Sequence, residues 1–257
     1  MKLNTIHNAD CRDVLPTIPD ESIDLILTDP PYLTTNLKFD KNKLPDNIYS
    51  ELKRILKPNG WFFCFGTFEM FVEIHNAGFK RKFEYIWVKP MGLPAMQSKR
   101  PTPKHEIITA FLKSDLKSMK DVYFDKEAIK TKGIREKRYY NSVKVTGFKK
   151  EDPRGLIRKE RVFKDDHGMK NPTSVLYANN KGSMKKSERT SHPTQKPLSI
   201  LKTIAKGYCP KDGVVLDPFV GSGSTCLAAK TENRQYIGIE KDSEYYKICQ
   251  SRLQGTL

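Results

Sequence analysis

Residues Val214 to Cys249 read VVLDPFVGSGSTCLAAKTENRQYIGIEKDSEYYKIC, and this stretch decides the fold. VVLDPF ends a strand, VGSGSTCLAA opens a helix, and QYIGIE forms a second strand with another helix behind it. Such alternation is the signature of an α/β sheet. Gly221 and Gly223 let the backbone turn sharply and approach a ligand closely, next to the free N–H groups of the helix start. Glu240 closes the second strand about 20 residues beyond the turn, where dinucleotide folds place an acid on the ribose hydroxyls. The pattern is neither GxGxxG nor a P-loop, since no Gly-Lys-Ser/Thr follows. Asp217 ends the first strand beside the turn, where a carboxylate repels a pyrophosphate and suits a cation. A nucleoside that carries an amino acid and a sulfonium therefore fits this corner better than a dinucleotide.

Outward from there the same alternation recurs. SIDLILT (Ser22 to Thr28) is a short apolar run, as a buried parallel strand requires, and Pro30 and Pro31 stop it. IYSELKRILKPNG predicts an amphipathic helix from Ile48 to Gly60, with Ile48, Leu52, Ile55 and Leu56 on one face and Pro58, Asn59 and Gly60 ending it. WFFCF (Trp61 to Phe65), FEYIWVK (Phe83 to Lys89) and HEIITAFLK (His105 to Lys113) read as strands, Phe68 to Ala77 as a helix, and a further helix starts near Pro197. Residues 114–190 differ, being polar and weakly periodic. Between Lys126 and Lys170 there are 15 Lys or Arg against 7 Asp or Glu, a net charge of +8. The chain thus divides into 1–113, an inserted basic region 114–190, and 191–257.

The whole chain of 257 residues has a formal net charge of +16. So strong a basic excess costs self-repulsion and implies a polyanionic partner, nucleic acid before an acidic membrane surface. No run is long enough to span a bilayer, and MKLNTIHNADCRDVL has no apolar signal core. The five cysteines are odd in number and widely spaced without a CxxC pair, which excludes a disulfide framework and a cysteine zinc site. The five histidines form no metal cluster by spacing. A reducing, cytoplasmic setting in contact with nucleic acid is expected.

Asp29-Pro30-Pro31-Tyr32 stands where open α/β sheets bind ligands. Asp29 can accept one hydrogen bond from an exocyclic amine, and a proline carbonyl the other. Tyr32 offers a flat face for an extracted base. The chemistry needs this, because an aryl amine's lone pair is delocalised into its ring. Holding both N–H bonds favours a more tetrahedral nitrogen with its lone pair aimed at an electrophile.

LILTDPPY together with VVLDPFVGSGSTCLAA resembles the amino-methyltransferases of DNA restriction-modification systems and their solitary or phage relatives. The catalytic motif precedes the cofactor motif, which is similar to the β group, the circularly permuted order. The resemblance covers residues 3–113 and 190–250. It implies a seven-stranded, mostly parallel, doubly wound sheet with helices on both faces, and region 114–190 as an inserted basic target-recognition region. It implies S-adenosyl-L-methionine as cofactor and no metal. Asp29, Pro30, Pro31 and Tyr32 would be catalytic, with Asp29 also beside the cofactor. Asp10 and Cys11, in NADCRDVL, would lie by the cofactor adenine. Thr194 and Lys196, in SHPTQKP, would pack over its methionine end. Asp217, Pro218, Phe219, Gly221, Ser222 and Gly223 would form the main loop, with Glu240 on the ribose. WVKP (Trp87 to Pro90) and RPTPKHE (Arg100 to Glu106) would line the target-base side. DPPY occurs mainly in adenine-N6 enzymes, so adenine is expected, with cytosine N4 as the alternative and a non-catalytic DNA-binding protein of this fold behind both. Double-stranded DNA is the implied partner; a homodimer and a cognate restriction endonuclease accompany many such enzymes, in a bacterial cell or a phage-infected one.

Overall fold

The structure, a computed structural model, describes residues 1–32, 44–90, 101–113, 118–132 and 169–255. Strand β2 (Ile23–Thr28) lies at its centre. Ile23, Leu25, Ile26 and Leu27 are fully buried, as a strand covered on both faces must be. Before it come β1 (Thr5–Asn8) and the short α1 (Cys11–Val14); after it come α2 (Ile48–Ile55), β3 (Leu56–Phe65), α3 (Phe68–Asn76), β4 (Phe79–Val88) and β5 (His105–Lys113). Then follow β6 (Thr131–Lys132), β7 (Met169–Lys170), β8 (Val175–Tyr177), α4 (Leu198–Tyr208), β9 (Val214–Asp217), α5 (Ser224–Thr231), β10 (Gln235–Glu240) and α6 (Ser243–Gln254).

The main sheet has the order β1-β10-β9-β2-β3-β5-β4-β8. β5 runs antiparallel to both of its neighbours, and every other pairing is parallel. Side-chain alternation along β3 sends Trp61, Phe63 and Phe65 to one face and Phe62 and Cys64 to the other. The first face is covered by α4, α5 and α6 through Ile200, Ile204, Cys226 and Leu253. The second is covered by α1, α2 and α3 through Val14, Leu52 and Ile74. The sheet is therefore doubly wound, as expected.

Three expectations are corrected. The helix expected to reach Gly60 ends at Ile55, and Leu56 already pairs with Ile23 on β2. Pro58 forces its predecessor out of helical geometry, and the register jumps so that Leu25 pairs with Trp61. Residues Lys57 to Gly60 are looped out at that jump. Strand β4 begins at Phe79, not Phe83, with a bulge between Arg81 and Phe83. Among the described residues the sheet has eight strands where seven were expected, because β8 pairs with β4 at the edge.

β8 comes from the stretch expected to be inserted, and residues 118–132 also pack on the core. Trp61 Nε1 donates to the Tyr123 carbonyl at 2.9 Å, and Ile129 is buried against Gly207 of α4. The antiparallel β6–β7 pair brackets residues 133–168. Most of the +8 segment falls in that interval and lies outside the described residues.

Candidate active site

Parallel registers bring the C-terminal ends of β1, β2, β9 and β10 to one edge of the sheet, with Ile26 beside Leu216, Gly238 beside Asp217 and Asn8 beside Glu240. The loops leaving these ends line one cleft of about 1350 Å³. That exceeds the ~300–1,000 Å³ of an ordinary small-molecule site and leaves room for two ligands side by side.

The first half of the cleft is built on the glycine turn. Gly221 and Gly223 have φ of 50° and 76°, in the left-handed region. A Cβ on Gly221 would lie 2.9 Å from His192 Nε2, so this glycine is required by both φ and space. Val220 N donates to the Ile239 carbonyl at 3.0 Å and ties the turn to β10. Glu240 accepts from Gly221 N at 2.9 Å and from Asp242 N at 2.8 Å. Both carboxylate oxygens are thus oriented, yet burial pushes its carboxyl up to about 7. Asp217 is buried and accepts from Thr28 Oγ1 at 2.7 Å and from Phe219 N at 3.1 Å. Burial pushes it up to about 6.

Asp10 caps α1 through Arg12 N and pairs with Arg12 and Lys241, each at 2.8 Å. Its hydrogen bonds with Arg12 hold its carboxyl well below the usual range. The buried Cys11 beside it has a thiol pushed up to about 11 by burial. His192 packs edge-on to Tyr245 with ring centroids 4.4 Å apart, and burial lowers its imidazole to about 4, so it is neutral. Asp217 and Glu240 offer carboxyl acceptors that fit a hydroxyl-bearing ligand, while Asp10 and Asp29 are paired with Arg12, Lys241 and Lys196.

The second half of the cleft opens at the end of β2. Asp29 is partly buried; Tyr32 OH donates to its Oδ1 and Lys196 Nζ to its Oδ2. Lys196 Nζ lies 3.7 Å from Glu106 Oε2, and Lys89 Nζ 3.1 Å from Glu106 Oε1. The same ammonium sits 5.2 Å from the Phe65 ring centroid and 5.7 Å from that of Tyr32. Burial raises the Asp29 carboxyl, with the Lys196 charge opposing.

The Thr28–Asp217 hydrogen bond is the seam between the halves. Asp10, Cys11, Asp29, Pro30, Pro31, Tyr32, Thr194, Lys196, Asp217, Pro218, Phe219, Gly221, Ser222 and Glu240 all line this cleft. Gly223 stands behind the lining as the left-handed N-cap of α5. Lys196, expected over the methionine end of a cofactor, lines the cleft with its ammonium on Asp29. Trp87 lines the cleft but spends its Nε1 on the Ala178 carbonyl at 2.9 Å, and His105 is exposed. The Lys89–Glu106–Lys196 row is not visible in the sequence. WVKP and RPTPKHE stand out as segments, but no spacing says that their charges meet. Tyr245, beside His192, carried no signal at all.

Comparison with known proteins adds to this geometry. A family model described as DNA methylase, covering N6 and N4 enzymes, matches residues 23–251. The Type II methyltransferase M.HinfI of Haemophilus influenzae is 32% identical, over 98% of this chain and 68% of that protein. The Type II methyltransferase M.BglII of Bacillus subtilis is 30% identical, over 98% of this chain and 69% of that one. Among solved structures, a complex of M1.HpyAVI with SAM is similar at a TM-score of 0.62 and 24% identity, covering 97% of this chain and 99% of that chain. The cytosine-N4-specific PvuII DNA methyltransferase is similar at 0.66 and 19%, covering 96% and 85%.

Proposed function

This chain belongs to the DNA methylase family of N6 and N4 enzymes, and from that premise we propose that it transfers a methyl group from S-adenosyl-L-methionine to the N6 amino group of adenine in double-stranded DNA. The observation that carries the proposal is the seam itself. Thr28 and Asp217 join the Asp29-Pro30-Pro31-Tyr32 loop to the Asp217–Gly223 turn within one cleft.

S-adenosyl-L-methionine, when bound, supplies an electrophilic methyl group on a sulfonium. Glu240 and Gly221 would hold its ribose and Asp217 would face its cationic end; Asp10, Cys11 and Thr194 would complete that side. Asp29 takes one N–H of an extruded base and the Pro30 carbonyl the other, which aims the nitrogen lone pair. Pro31 stiffens the loop. Tyr32 gives up its bond to Asp29 and stacks on the base. Asp29 then receives the proton that the amine loses. Its raised carboxyl makes it a better acceptor than an exposed aspartate.

DPPY favours adenine. The similarity to a cytosine-N4-specific enzyme supports N4-cytosine as the second reading, because the same geometry holds either amine. Residues 114–190 would supply target recognition; the Type II relatives support a restriction-modification setting, and a cognate restriction endonuclease is a further proposed partner. A homodimer completes the proposed partners. Purified protein incubated with S-adenosyl-L-methionine and mixed-sequence duplex DNA tests the reading, with the nucleosides analysed by mass spectrometry. N6-methyladenine is expected; N4-methylcytosine instead would replace the target, and no methylated base would overturn the function.

A further inference from the structure

We infer that Lys196, braced by Glu106, is a positioning residue for Asp29, holding its carboxylate in the rotamer and ionic form that receives the exocyclic amine. The inference rests on the amino-methyl transfer reading and assigns within it a role that the cofactor does not require.

The two donors on Asp29 are not equivalent. The Tyr32 hydroxyl on Oδ1 is neutral and belongs to the ring that must leave to stack on the base. An incoming N–H can replace it like for like. The Lys196 ammonium on Oδ2 is charged and its root is fixed. Pro197 follows it as the N-cap of α4, and the stem is nine-tenths buried beside the Phe65 and Tyr32 rings.

Behind the ammonium stands Glu106, whose Oε2 is buried and has no hydrogen bond among the described residues. Oε2 lies 3.7 Å from Lys196 Nζ, while Oε1 is tied to Lys89. The charges alternate from Lys89 through Glu106 and Lys196 to Asp29, so the partly buried row is compensated. Removing one member leaves its neighbour uncompensated.

The groups facing Asp29 are Tyr32 from its own loop, Cys64 from β3, Glu106 from β5, Asp217 from β9 and Lys196 from the segment before α4. Of these Lys196 is the cation; ionisation of any of the others opposes the Asp29 charge. Lysine removal therefore favours the protonated aspartic acid, which cannot accept through both oxygens. Removal of the Glu106 charge acts in the opposite direction.

Full-length variants on a duplex that the wild type methylates provide the test. Four quantities are read: single-turnover rate against pH, cofactor affinity by calorimetry, target-base extrusion by 2-aminopurine fluorescence, and the carboxyl titration of Asp29 by ¹³C NMR in the cofactor-free protein, assigned with Asp29→Asn. Lys196→Met should keep cofactor affinity within about threefold while the rate at neutral pH falls about 100-fold. Its acid limb and the Asp29 titration should both move up by about one pH unit or more. Lys196→Arg should restore both positions, and Glu106→Gln should move both down. If Lys196→Met does not fold, Lys196→Arg and Glu106→Gln decide by the same signs. Weakened cofactor binding with unmoved titrations would make Lys196 a cofactor ligand and overturn the inference. So would equal losses at every pH, or a Glu106→Gln shift that is upward or absent. If the wild type methylates no base in any duplex, the transfer reading fails and the inference falls with it.

Discussion

Cofactor affinity should depend on pH, and Glu240 sets the size of the dependence. Its carboxyl is raised to about 7 by burial, against an ordinary value of 4.5. In the proposed reading, ribose hydroxyls donate to the ionised form, so the bound state should return the group to its ordinary range. At pH 6 about one molecule in eleven is ionised before binding, and at pH 8 about ten in eleven. Affinity should therefore rise about tenfold from pH 6 to pH 8, roughly 1.4 kcal/mol. Asp217, raised to about 6, adds at most about a factor of two over the same range. Binding should release about 0.9 proton at pH 6 and about 0.1 at pH 8 from Glu240 alone. Calorimetry at both pH values, in two buffers of different ionisation enthalpy, measures affinity and proton release together. Folding stability follows the same group. A carboxyl raised on folding contributes stability in full below its unfolded value and loses it as pH rises through the folded one. The cofactor-free protein should accordingly melt lower at pH 8 than at pH 5, with the cofactor closing the gap. Glu240→Gln should weaken binding at pH 8 and reduce the tenfold dependence to the residual twofold. A flat wild-type profile, or a Glu240→Gln profile that keeps the tenfold slope, would refute the reasoning.

Gly221→Ala places a methyl 2.9 Å from His192 Nε2 at a φ of 50°. It should cost about 1–2 kcal/mol in a urea melt from the backbone alone and lower cofactor affinity about tenfold; two unchanged values would remove the turn from the site. Asp29→Ala should lower single-turnover transfer by about 1,000-fold or more, combining lost alignment with a lost proton acceptor, while cofactor binding persists in calorimetry. Tyr32→Phe removes the hydroxyl that an incoming N–H must displace, so its rate should stay within about threefold of wild type; Tyr32→Ala should lose retention of the flipped base, seen as weaker 2-aminopurine fluorescence. Affinity for DNA should fall about 100-fold or more between 50 and 200 mM salt if the basic residues contact several phosphates, and a flat salt profile would exclude that use of the charge.

The elements were most legible where the local pattern is unambiguous. β5 runs from His105 to Lys113, as the apolar run in HEIITAFLK predicts, and β9, the glycine turn, α5 and β10 follow in the order read from Val214 onward. Leu56 misled because it continues the helical apolar face and also suits a strand; its pairing with Ile23 on β2 decided. That pairing is non-local, and so is the attachment of β8 to β4, which periodicity within one segment cannot reveal. The site followed the same division. Residue type and turn chemistry pointed to Asp29, Gly221 and Glu240 and to a shared ligand edge. The direction of Lys196 was not legible, because it is set by where β5 delivers Glu106 and where β3 delivers Phe65.

The sheet order also governs how the protein comes into being. β1 pairs in the sheet with β10, which is made much later, and β2 likewise waits for β9 on its other side. Until those late strands emerge from the ribosome, Leu25 and Ile26 present an apolar, unpaired edge, the kind of surface that recruits strands from other chains. Contacts so distant in sequence also make folding slow. A growing polypeptide can therefore neither close the cleft nor act on DNA before synthesis reaches Glu240, and truncation short of β9 should yield aggregates instead of a partly active enzyme.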